Sequence, residues 1–104
     1  MFNKLVRDKI PEIIEAKGEK AVTRMLSDEE YKEELEKKLT EEHNEVLASS
    51  GDDRIEELAD LLEVMIALAK LEGKTLNDVI NTCEKKREKK GSFDRKIYLE
   101  NVIK

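Results

Sequence analysis

The chain has 104 residues, of which 43% are charged and only 4% aromatic, with a formal net charge of −5. That length suits one domain, residues 1–104, with a thin core. The acidic balance excludes a general binder of polymeric nucleic acid, whose phosphate affinity needs a Lys/Arg excess. One Pro, four Gly and no Trp point to long helices with few turns. The single Cys83 has no partner for an internal disulfide. No apolar run reaches transmembrane length, and the opening MFNKLVRDK has no signal-peptide core. A cytoplasmic protein that makes no membrane contact is therefore expected.

Residues 3–17, NKLVRDKIPEIIEAK, read as a basic segment running into a short helix, with Pro11 in the first turn and Gly18 as its stop. The next stretch, EKAVTRML (19–26), is rich in β-branched residues and lacks helical spacing, so an extended connector is expected. Ser27 and Glu30 form a capping box, and a second helix is predicted from there to about Ala48. On it Glu33/Lys37 and Glu34/Lys38 are i,i+4 pairs, most simply a solvated face. Asp52 or Asp53 is the expected cap of a third helix running to about Leu71. Thr75 caps a fourth, LNDVINTCEKKREKK, which Gly91 ends. The tail SFDRKIYLENVIK has no helical period, and its pattern allows a small ribbon with residues 21–25. The whole reads as an all-α, antiparallel four-helix bundle.

A helix turns about 100° per residue, so faces follow from numbering. On the second helix Tyr31, Leu35, Leu39 and Val46 form the core stripe. Glu42 falls inside that stripe, Glu45 on its edge, and Glu41 points away. On the third helix Asp53, Glu56, Glu57, Asp60 and Glu63 share one face, while Ile55, Leu58, Leu62, Met65, Ile66 and Ala69 make the other sides apolar. A helix apolar nearly all round is an inner one, and self-association as a homodimer or a dimer of dimers would cover it.

A short loop makes the second and third helices antiparallel neighbours. Glu42, Glu45, Glu57 and Asp60 then converge, with no fixed cation beside them in the pattern. Repulsion among them is relieved by a divalent metal ion, and an all-oxygen donor set favours Mg²⁺ or Mn²⁺ over Zn²⁺. A partner Lys or Arg from another helix is the plainer way to neutralise a buried acid.

The pattern Glu41-Glu42-x-x-Glu45 followed by Glu57-x-x-Asp60 resembles the EExxE…ExxD signature of the MazG-like all-α nucleoside triphosphate pyrophosphohydrolases. The flanks NKLVRDKIPEII and KKREKKGSFDRKIYL resemble the phosphoribosyl-ATP pyrophosphohydrolase-like branch of that superfamily. The resemblance implies metal-dependent hydrolysis of a nucleotide between its α and β phosphates, releasing monophosphate and pyrophosphate. It also implies Glu42, Glu45, Glu57 and Asp60 as metal ligands. Glu41, facing outward, suits orientation of its neighbours, and Glu42 or Glu45 would activate water. A phosphoribosyl-ATP hydrolase and a non-catalytic dimer binding nucleotide or metal are the competing expectations. Against the first, LLEVMIALAK after Asp60 lacks the Tyr-His that such enzymes often carry there.

Two basic clusters remain. Lys4 and Arg7 near the start, and Arg87, Lys90 and Arg95 near the end, are candidate phosphate ligands. Cations at a helix C-terminus also suit its dipole without any ligand. His43 reads as a surface residue, Cys83 as a small packing residue, and Phe93 and Tyr98 as candidates for stacking on a base.

Overall fold

A computed structural model describes residues 3–104. It is all-α, with helices α1 (Ile10–Ala16), α2 (Asp28–Leu47), α3 (Gly51–Leu71) and α4 (Leu76–Lys90).

Local chemistry sets most boundaries. The Ser27 hydroxyl accepts from the Glu30 backbone N–H, while the Glu30 carboxylate accepts from the Ser27 N–H, so two free donors at the start of α2 are satisfied. Thr75 and Asp78 repeat the same device at the start of α4. The start of α3 differs from expectation: Ser50 occupies the cap position without a side-chain hydrogen bond, and Asp52 and Asp53 lie within the first turn. Gly51 sits at φ +58°, a left-handed conformation that a residue with a Cβ adopts at a cost of about 1–2 kcal/mol. This kink lets the chain reverse over residues 48–50 and lays α3 antiparallel on α2.

The α2–α3 hairpin holds what core there is. Leu35 (4% exposed) and Val64 (8%) are the buried apolar side chains among the described residues. The start of α4 touches α3, and α1 approaches no other helix closely at the backbone level. The other flank of α3 is open, with Ile55 66% exposed and Leu58, Leu62 and Met65 also exposed. Its expected place as an inner helix is therefore not reached within one chain.

The ribbon allowed for residues 21–25 and the tail is not formed, and no strand occurs among the described residues. Residues 19–27 are an irregular connector, and residues 97–104 run without a hydrogen-bonded partner strand. The radius of gyration is 18.2 Å, against about 13 Å for a compact chain of this length. Among the described residues no helix is long and apolar enough to cross a membrane.

Candidate metal centre

Glu42 stands on the face of α2 that packs on α3, and its side chain is only 13% exposed. Glu57 and Asp60, one turn apart on α3, face it. One carboxylate oxygen from each of Glu42, Glu57 and Asp60 lies within 4.8 Å of the others. Octahedral coordination at 2.0–2.1 Å separates ligand oxygens by roughly 3–4 Å, so small rotations of these side chains would let them share one cation. The donor set, all carboxylate oxygen, is of the kind that holds Mg²⁺ or Mn²⁺.

Crowding is visible in the acidities. Burial, and then the charge of Asp60, pushes the Glu42 carboxyl above the usual carboxylate range. Glu57 is raised as well, first by partial burial and then by the charge of Glu45. Glu45 is exposed on the edge of α2 and stands outside the close group, so of the four carboxylates expected to converge three do. Glu41 is exposed and turned from the α2–α3 contact.

The expectation of no cation beside the acids does not hold. Arg7 Nη2 donates to Asp60 Oδ1 at 2.7 Å. Lys38 Nζ stands 3.5 Å from Glu41 and 4.0 Å from Glu42, the latter too long for a hydrogen bond. Lys38 does not pair with Glu34 as its spacing suggested; Lys37 does, at 2.9 Å. The negative field of the neighbouring acids is what draws Lys38 the other way. A sequence signal for this existed in the Lys38/Glu41 and Lys38/Glu42 spacings, although Glu34, four residues N-terminal to Lys38, has the more favourable orientation.

Among the described residues, then, Arg7 and Lys38 are the cations that form ion pairs in the cluster. Counted with Glu41 and Glu45, the site holds five carboxylates against these two, an excess of three negative charges. Of the candidate phosphate ligands, Arg7 is brought to the site. Lys4 is exposed in the segment before α1 and forms no ion pair with the acids. Arg87 lies on α4 with Nη2 3.9 Å from Cys83 Sγ, and Lys90 and Arg95 line a hollow at the C-terminal end of α4. These three likewise form no ion pair with the cluster.

Cys83 is exposed rather than packed, because α4 leaves that face uncovered. His43 is exposed as expected, and Phe93 and Tyr98 are almost fully exposed.

No protein-family model matches the chain, and no solved structure does. An uncharacterised protein of Mycolicibacterium smegmatis is 51% identical over 49 residues, covering 47% of this chain and 50% of that protein. The chain thus matches about half the length of this relative.

Proposed function

We propose that Glu42, Glu57 and Asp60, with Glu45 beside them, hold Mg²⁺ or Mn²⁺, and that the protein is a nucleotide pyrophosphohydrolase of MazG-like type. The observation that carries this reading is the convergence of three carboxylates from two helices within 4.8 Å, two of them with pKa values pushed above the usual carboxylate range. Such a cluster strains the folded chain unless a cation compensates it, and perturbed carboxylates in a cluster mark candidate sites. The order of the acids along α2 and α3 supports the same family.

When bound, the metal ion would neutralise polyphosphate charge and lower the pKa of a water molecule. The chain's own groups supply the rest. Glu42 is held by packing against α3 and by the charge of Lys38, so its oxygen is set in place before substrate arrives. Glu45, exposed beside Glu57, is free to accept a proton from water. Arg7 fixes Asp60 and offers its remaining guanidinium N–H groups to a phosphate oxygen. The substrate class is a (d)NTP or a related nucleotide with an α–β phosphate bond.

Arg7 and Lys38 favour a second reading, in which the acids are partly neutralised within the chain and bind nucleotide or metal without turnover. Pyrophosphate release separates the two. The protein is incubated with Mg²⁺ and a panel of canonical and damaged (d)NTPs and phosphoribosyl-ATP. Turnover of at least one member, lost in Glu57→Gln, is expected. Absence of release across the panel, with nucleotide binding retained, would establish the non-catalytic reading.

A further inference from the structure

We infer that Arg7 is the built-in counter-ion of the acidic site: paired with Asp60, it disfavours a free divalent ion and favours one carried on the phosphates of a nucleotide. This rests on the proposed metal centre and adds to it a selection among the forms in which the metal arrives.

The fold gives Arg7 a fixed base and a free head. The Ile10 backbone N–H donates to the Arg7 carbonyl at 3.0 Å, so the turn into α1 holds the Arg7 backbone. Its side chain reaches α3, where Nη2 donates to Asp60 Oδ1 at 2.7 Å. Asp60 is also one of the three carboxylates whose oxygens approach within 4.8 Å. One carboxylate therefore serves both the guanidinium and the proposed metal centre.

Distance decides the sign. A ligand oxygen stands about 2.0–2.1 Å from Mg²⁺. With Nη2 2.7 Å from Oδ1, an ion on either Asp60 oxygen would lie no more than about 7 Å from that nitrogen. This is inside the roughly 8 Å screening length of physiological salt, so Arg7 repels a bare divalent ion. An ion on polyphosphate meets the opposite balance. The N–H groups that Asp60 leaves free donate to phosphate oxygens, which a forked guanidinium suits. Such a contact needs a head open to solvent, and the Arg7 side chain is 56% exposed. Lys38 differs, with a side chain 19% exposed and packed beside Glu41 and Glu42. Lys38 offsets charge in every state of the site, whereas Arg7 distinguishes between ligands. The distinction is a coupling between metal and phosphate through one residue, so removing Arg7 moves the two affinities in opposite directions.

Equilibrium dialysis of Mn²⁺ against the full chain reads both affinities. The ion is supplied first free and then on excess inorganic tripolyphosphate, a probe with no base or sugar. Arg7→Gln is expected to bind the free ion at least about fivefold more tightly than wild type, and the tripolyphosphate complex at least about fivefold more weakly. Lys9→Gln removes the same charge from the same segment; Lys9 is exposed and forms no ion pair among the described residues. Both of its affinities should stay within about twofold of wild type. Three results overturn the inference while the metal centre stands: free-ion affinity unchanged or weaker in Arg7→Gln, no loss of affinity for the complex, or an equal shift in Lys9→Gln. A wild type that retains manganese in neither form removes the metal centre itself, and the inference falls with it.

Discussion

Arg7 and Asp60 are 53 residues apart in sequence and joined at 2.7 Å, so the segment before α1 is tied to the acidic face of α3. Both side chains are about half exposed, and a pair in that setting contributes about 0.2–1 kcal/mol. Its larger consequence in the proposed enzyme is positional. Replacing Arg7 with Gln is expected to lower the stability by no more than ~1 kcal/mol while raising KM for the nucleotide about tenfold, a loss of ~1.4 kcal/mol in binding. Steady-state kinetics beside a denaturant titration checks this. An unchanged KM would reduce Arg7 to a tether.

Glu42→Gln removes a mostly buried charge from a crowded site without changing its shape. Turnover is expected to vanish, with the helical circular dichroism retained and the metal-free protein as stable as the wild type or more so. Asp60→Asn is expected to lose turnover too, but also to release Arg7. Near wild-type pyrophosphate release by either variant at saturating Mg²⁺ would remove these residues from the metal centre.

The raised pKa values of Glu42 and Glu57 fix a sign for pH dependence. A carboxyl whose folded pKa exceeds its unfolded value, near 4.3, holds its proton more tightly when folded. Its ionisation destabilises the fold as pH rises through the folded value, and that penalty is absent below the unfolded one. Glu30 acts oppositely: hydrogen bonds from Arg24 and from the Ser27 backbone lower it to about 2. The stability it contributes is present above its unfolded value and lost as pH falls toward about 2; Asp78, lowered first by the Thr75 backbone N–H, behaves alike. Asp78 is exposed and the Glu30 side chain nearly half exposed, which makes their part small. The metal-free melting temperature is therefore expected to rise as pH falls through the raised folded values of Glu42 and Glu57 toward about 4.3, and to decline below that as Glu30 and Asp78 take up their protons. Glu42→Gln should flatten the rise. Melting curves with the same slope in wild type and variant would show that Glu42 is not its source.

Local features were legible in the sequence and long-range choices were not. The Ser27–Glu30 box, the Thr75 cap and the position of Glu42 within a core stripe depend on residues three or four apart, so numbering alone locates them. The cap of α3 was misplaced because the chain turns through left-handed Gly51 before Asp52 and Asp53 are reached. Lys38 had acids available on both sides along its own helix, and it stands by Glu41 and Glu42 rather than Glu34. The Arg7–Asp60 pair had no local signal at all. The tail lacks a helical period but has no partner edge to join, and the absence of a helical pattern does not by itself form a ribbon.

Manganese binding followed by electron paramagnetic resonance tests the central claim most directly, because it reports the ion rather than turnover or stability. Titrating the metal-free protein with Mn²⁺, alone and with a non-hydrolysable nucleotide triphosphate, should show saturable loss of the free-ion signal in wild type. The affinity should fall at least about tenfold in Glu57→Gln, the loss expected when a direct carboxylate ligand becomes a neutral amide and ~1.4 kcal/mol or more is given up. A free-ion signal that persists with wild type in both titrations, or equal affinity in Glu57→Gln, would contradict a metal centre at Glu42, Glu57 and Asp60.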